Sequence, residues 1–227
     1  MFASRSRPII YPQMEHGRLA GALARLWGNA DFAAPPIPRG SLVLGVGLHD
    51  RGYGALDDDP LLELAEPRWL EITRRGFYDD CGDAAADLIT RLHLRRLVSY
   101  DLTPARGALL AEMDASIARH AADHGLDLAL YSRIDALTRL CDSAAFAFCF
   151  EEPAQGEVAV SPDWWDAPPV TIRFAVTPAR DDGAPARIAL SPWPLGVNRH
   201  EGYVIAYRRA DYPDRLVPVA IPYEVTP

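Results

Sequence analysis

The spacing of apolar residues changes once along the chain, near residue 150, and this change restricts the fold. Before it, apolar residues recur three and four positions apart, as in Leu19, Leu23 and Leu26, which is the period of amphipathic helices. After it, apolar and polar residues alternate in short stretches such as 170–176 (VTIRFAV), which indicates β-strands. Twelve of the 20 prolines also follow residue 150, where they are typical of interrupted edge strands. The pattern predicts a mainly α chain with a smaller β part, the α+β class.

The predicted helices occupy the first 150 residues. A helical domain over 1–150 would be followed by a small, mainly antiparallel β extension over 151–227, packed on the helices. Ser41 is the expected N-cap of a short apolar helix that ends at His49 and Asp50. The predicted helices span residues 14–28, 41–50, 67–75, 83–100, 104–124 and 126–150.

Composition and charge exclude several classes of function. The net charge of −8 argues against a nucleic-acid partner or an anionic membrane surface. All 23 basic residues are arginine, which excludes lysine Schiff bases, pyridoxal phosphate attachment and a Walker lysine. The sequence has neither a membrane-spanning run nor a signal-like segment, so we expect a cytoplasmic protein. Three cysteines without CxxC spacing make a disulfide framework an unlikely arrangement.

Polar residues that could bind a metal occupy the apolar faces of four predicted helices. His49 and Asp50 follow the almost uninterrupted apolar run 42–48, where burial of an imidazole beside a carboxylate is costly without a partner or an ion. His16, His93 and Asp142 each lie three, four or seven residues from apolar neighbours, so they share the buried stripe of their helix.

Each of these residues also has an ordinary structural explanation. A single histidine on an apolar face is more often a hydrogen-bonded core residue than a ligand. Asp142 could bond the adjacent Ser143 or an arginine. Taken together, histidines and carboxylates that converge from separate helices are a common way to hold a divalent cation. Such a donor set suits iron, manganese, zinc or nickel.

The order of these residues, H…HD…D, resembles the HD superfamily of metal-dependent phosphohydrolases. More closely, the chain is similar to an uncharacterised bacterial family of HD-like helical proteins, catalogued as a domain of unknown function. The similar segments are EHGRLAGALARLWG, LGVGLHDRGYGALDDDPLL, DLITRLHLRRL, CDSAAFAFCF and SPWPL. The resemblance implies an HD-like helical bundle in which His16, His49, Asp50 and Asp142 are metal ligands. His93 would be a further ligand or a phosphate contact.

The resemblance implies metal-assisted phosphate ester hydrolysis, with Asp50 and Arg51 as catalytic residues. Arg51 stands where many HD proteins have a small apolar residue, followed by glycine and lysine. Arg91, Arg95 and Arg139 lie near the proposed ligands in sequence and are candidates to clamp phosphate oxygens. For any single arginine, a solvated or salt-bridged helix face is the commoner arrangement.

Three functions therefore remain open on the sequence alone. The first is a divalent-metal-dependent phosphohydrolase acting on a small phosphate ester or nucleotide. The second is a non-catalytic, metal- or ligand-binding regulatory protein of the same fold. The third is an iron-dependent redox enzyme, because histidine and carboxylate sites also support oxygen chemistry. The sequence leaves the oligomeric state open, with a homodimer as one arrangement.

Overall fold

A computed structural model describes residues 2–56, 65–151, 153–179, 184–212 and 214–227. The helices all lie between the second and third strands in chain order. They are α1 (Gln13–Leu26), α2 (Arg39–Gly47), α3 (Glu66–Tyr78), α4 (Ala84–Val98), α5 (Pro104–His124) and α6 (Leu128–Phe150), with a 3₁₀ turn at Tyr53–Leu56. The strands are β1 (Phe2–Ala3), β2 (Ile9–Tyr11), β3 (Gln155–Val160), β4 (Val170–Thr177), β5 (Ala186–Ser191), β6 (His200–Arg208) and β7 (Pro218–Thr226).

The described strands form one mixed sheet in the order β1-β2-β6-β7-β5-β4-β3. Neighbouring strands run antiparallel, except that β5 and β7 are parallel, with Ile188 opposite Val225. Alternate residues of β4 and β5 are buried, among them Ile172 and Ile188. This alternation is the burial pattern of strands with one face on a core and one face in water.

The α+β class is confirmed, but the sheet differs from the predicted small antiparallel element at the C-terminus. β1 and β2 come from the start of the chain and extend the sheet beside β6. β1 and β2 were not predicted, because strands of two and three residues are too short to show an alternation of apolar and polar residues. The division into domains at residue 150 stays a prediction.

Local signals explain several helix boundaries. Thr103 accepts a hydrogen bond from the Arg106 backbone N–H, and Gly125 ends α5 in the left-handed conformation, as the sequence predicts. The prediction that Ser41 caps α2 is wrong, because the helix begins at Arg39, two residues before Ser41, and Pro38 is at its N-cap position. The Ser41 hydroxyl instead donates to Asp83, 2.6 Å away, which joins α2 to the start of α4.

Helices α1 and α2 cross at a contact between glycines. A Cβ added to Gly17 would lie 2.4 Å from the carbonyl oxygen of Gly47, and a Cβ at Gly21 would also meet the α2 backbone. Glycine therefore permits an approach that any other residue would prevent. The crossing brings His16, on α1, beside the turn that follows α2.

Two tryptophans join the helices to the C-terminal segments. The indole N–H of Trp164 donates to the carbonyl of Ala33, as does that of Trp27, and both rings are buried. Trp164 therefore packs between the helices and the C-terminal segments, whereas the adjacent Trp165 is 59% exposed. All three cysteines are free. None of the helices in the described ranges has the length and apolar character needed to span a membrane.

Candidate metal centre

The structure brings the five predicted ligands to one point between α1, α4, α6 and the turn after α2. The Nε2 atoms of His16 and His49 are 3.0 Å apart, and they lie 3.2 and 3.3 Å from Oδ1 of Asp142. Oδ2 of Asp50 lies 3.7 and 3.6 Å from the same two nitrogens. His93 approaches from α4, with Nε2 3.0 Å from Oδ1 of Asp50.

The end of α2 determines how His49 is presented. The sequence predicts that α2 ends at His49 and Asp50, but the helix ends at Gly47. His49 and Asp50 therefore lie in the turn that follows it. Nδ1 of His49 is 2.6 Å from the carbonyl oxygen of Val46, an acceptor, so Nδ1 carries a proton. In the neutral ring the lone pair is then on Nε2, which faces His16 and Asp142.

Burial differs between the histidines and the carboxylates. The side chains of His16, His49 and His93 are at most 1% exposed, whereas those of Asp50 and Asp142 are 14% and 16% exposed. The histidines thus form the closed end of the cluster. The carboxylates form its open end, where a small molecule could reach them.

The proximity of these groups displaces their pKa values. Burial opposes the charge of His49, but the carboxylates of Asp50 and Asp142 outweigh it and raise its pKa to about 9. Burial raises the pKa of Asp142, but hydrogen bonds from His16 and His49 hold it well below its usual range. The pKa of His93 is lowered, because its burial and the nearby charge of His49 both disfavour protonation.

The spacing of the converging atoms fits a single cation. Ligand atoms about 2.0–2.1 Å from a tetrahedral metal lie about 3.3 Å from one another, and those around an octahedral ion lie somewhat closer. Nε2 of His16 and Nε2 of His49 lie 3.0 Å apart, and each lies 3.2–3.7 Å from one carboxylate oxygen of Asp142 and one of Asp50. The donors are imidazole nitrogens and carboxylate oxygens, the set preferred by iron, manganese, nickel and zinc.

Arg96 is a site residue that the sequence analysis missed. Its Nη2 is 2.8 Å from Nδ1 of His93, and its Nε donates to Asp135 across 3.0 Å. Arginine can only donate, so Nδ1 of His93 accepts the hydrogen bond and the neutral ring carries its proton on Nε2. We therefore assign His93 as a donor to Asp50, the tautomer opposite to that of His49. The separation of three residues between His93 and Arg96 on one helix was the available signal.

Gln13 is a second residue that the sequence analysis missed. It is the first residue of α1, and its side-chain N–H donates to Oδ2 of Asp50. Asp50 is thus held from two sides, by Gln13 on one oxygen and by His93 on the other.

Three of the four predicted arginines are engaged away from the cluster. Arg51 bonds Asp87 and the carbonyl of Gly76. Its position next to Asp50 in sequence therefore does not bring its guanidinium to the converging ligands. Arg95 pairs with Asp114 on α5, and the guanidinium of Arg91 lies 5.5 Å from the ring centre of Phe77.

Arg139 is the predicted arginine that reaches the vicinity of the cluster. It is exposed and lines a groove that also contains Asp142 and Arg96. The acidic run Asp57–Asp59, which follows the His49-Asp50 pair in the sequence and could line a pocket or bind a cation, lies outside the described residues.

Comparison with known proteins gives a partial family match. Residues 3–73 are similar to a family described as a protein of unknown function (DUF3891). The matched range includes His16, His49 and Asp50 and ends before His93 and Asp142. Neither a curated protein nor a solved structure matches the chain. The similarity confirms the coarser sequence expectation: this portion of the chain resembles an uncharacterised family.

Proposed function

We propose that the protein is a metal-dependent phosphohydrolase of HD type in which His16, His49, Asp50 and Asp142 hold a divalent cation. The observation that supports this most strongly is that Nε2 of His16 and of His49 lie 3.0 Å apart and 3.2–3.7 Å from carboxylate oxygens of Asp50 and Asp142, which come from separate parts of the chain. Two imidazoles and two carboxylates in this arrangement offer a cation both charge balance and lone pairs. Iron, manganese, nickel and zinc are the candidate ions.

The ion would supply Lewis-acid polarisation of a phosphoryl oxygen and would acidify a water molecule, together worth several kcal/mol. Hydrolysis would join the water oxygen to phosphorus and break the phosphorus–oxygen bond to the alcohol, which leaves with a proton. The exposed oxygens of Asp50 and Asp142 lie at the open end of the cluster, where they can orient water and substrate.

In this proposal His93 acts as a positioning residue rather than a metal ligand. Its Nδ1 accepts from Arg96, so its Nε2–H is directed at Asp50. Gln13 donates to the other oxygen of the same carboxylate, so the orientation of Asp50 is fixed before any ligand arrives. Arg51 stabilises the turn after Asp50 through Asp87 rather than contacting phosphate.

The proposal is tested with the full chain, stripped of metal and reloaded separately with manganese, iron, nickel or zinc. We expect at least one ion to restore phosphate release from phosphate monoesters. Asp142→Asn should reduce this rate at least 100-fold, whereas His124→Gln, on an exposed histidine outside the cluster, should not change it.

The outcomes separate the three functions. Saturable metal binding without phosphate release from any ester would favour the regulatory alternative. Metal-dependent oxygen consumption without phosphate release would favour the redox alternative. Phosphate release that is unchanged after metal removal, or in Asp142→Asn, would contradict the proposal.

A further inference from the structure

A cavity of about 480 Å³ opens onto the carboxylates of Asp50 and Asp142. This volume lies within the range of small-molecule sites, about 300–1,000 Å³. The walls above the carboxylates are mostly aromatic or aliphatic. They include Tyr53, Trp69, Leu97, Tyr100, Arg106 and Phe146.

Three of the aromatic side chains on these walls are partly open to solvent, whereas Tyr53 is buried. Tyr100 is 61% exposed and Phe146 is 37% exposed, although both lie on or beside helices that otherwise direct their large apolar residues into the core. Trp69, on α3, is also only partly buried. Phe146 stacks on Phe150, with ring centres 4.4 Å apart, and Arg106 covers part of Trp69, so the exposed parts of these rings are what a planar group of a ligand would contact.

The charge of the walls restricts what that group can be. Among the described residues that line the cavity, Arg106 is the one arginine. Its guanidinium stacks 4.8 Å from the ring centre of Trp69 and donates to Glu66 across 2.9 Å. Its charge is therefore already matched. A second phosphate or carboxylate in the cavity would lack an available cation, whereas a neutral ring requires none.

A neighbouring groove of about 370 Å³ also reaches Asp142 but suits such a ring less well. It shares Leu97, Tyr100 and Phe146 with the cavity but also contains two exposed charged side chains, Arg139 and Glu157. A flat neutral group placed there would remove water from these ions without replacing their hydrogen bonds. The aromatic cavity is therefore the better site for the ring.

We infer that the substrate is a phosphate monoester whose alcohol or phenol part carries a flat, uncharged ring, and that this ring occupies the cavity between Trp69, Tyr100 and Phe146. The position of the phosphate, at the end where Asp50 and Asp142 lie, rests on the proposed function. The recognition of the ring does not depend on turnover.

The test compares two phosphonates that cannot be hydrolysed, (1-naphthylmethyl)phosphonate and propylphosphonate, by calorimetric titration of the full chain with manganese present. We expect the naphthyl compound to bind at least tenfold more tightly. Tyr100→Ala, at a position that is 61% exposed, and Trp69→Leu should each reduce this preference to less than threefold. Trp165→Leu is the matched control, because Trp165 is 59% exposed and does not line the cavity.

Equal affinity for the two phosphonates, or a preference that both cavity variants retain, would overturn the inference. Failure of both compounds to bind would overturn it as well. A parallel assay with 1-naphthyl phosphate and propyl phosphate keeps the two proposals separate. Release of phosphate from both esters at equal rates would leave the hydrolase proposal standing and reject the ring site. Preferential binding of the naphthyl phosphonate without phosphate release from either ester would support the ring site and reject the hydrolase proposal.

Discussion

Replacing Gly17 by alanine should destabilise the protein and open the candidate metal centre together. The new Cβ would lie 2.4 Å from the carbonyl oxygen of Gly47, at least about 1 Å inside ordinary contact distance, and the obstructing atom is backbone rather than a flexible side chain. Forced separation of packed elements costs about 1–3 kcal/mol, and the better helix propensity of alanine returns at most about 1 kcal/mol. After subtraction of that return, we expect a net loss of up to about 2 kcal/mol in the free energy of unfolding.

The same displacement moves His16 away from His49, because α1 carries His16 and the turn after α2 carries His49. Urea unfolding of the metal-free protein would measure the stability change, and a manganese titration would measure the expected loss of affinity. Gly107→Ala on α5 is the control, because a Cβ there meets no atom within 4 Å, and it should leave stability unchanged or slightly raised. A Gly17→Ala variant as stable as the Gly107→Ala variant, with unchanged metal affinity, would refute the proposed role of the crossing.

Two further predictions concern charge. The pKa of His49 is raised to about 9 in the fold, so the stability that it contributes is fully present below its unfolded pKa of about 6.5 and is lost as the pH rises through 9. Urea unfolding of the metal-free protein at several pH values should show this decline, and His49→Gln should remove it; a decline of equal slope in the variant would contradict the assignment. Arg51→Gln should cost about 3 kcal/mol or more in unfolding free energy, because it leaves the Asp87 carboxylate, 2% exposed, without its cation. Arg51→Gln/Asp87→Asn should recover part of that loss, and a double variant no more stable than the single one would contradict the pairing.

The helices were predictable because their determinants are local. Thr103, Pro104 and Gly125 mark the two ends of α5 without reference to the rest of the chain. The cluster was also within reach of the sequence, because a polar residue on an apolar stripe must lie in the core. His16 and His93 follow this rule, and each belongs to a group of possible ligands that includes His49.

Other features depend on contacts that the local pattern does not contain. Alternation in β5 and β7 indicates strands but not their relative direction, so the parallel pair was not predictable. The arginines show a related limit. Arg95 lies two residues after His93, and this spacing directs its side chain to another face of α4, where it meets Asp114. Proximity in sequence to His93 therefore suggested a phosphate contact for Arg95, whereas its partner in the structure is Asp114.

The most direct measurement is the anomalous diffraction of a crystal of the full chain grown with manganese. We predict one strong peak within bonding distance of Nε2 of His16 and His49 and of the carboxylates of Asp50 and Asp142, with His93 hydrogen-bonded to Asp50 and outside the coordination shell. A crystal of Asp142→Asn under the same conditions should lose most of the peak. Full occupancy elsewhere in the molecule, or no ion at this cluster at saturating manganese, would contradict the account.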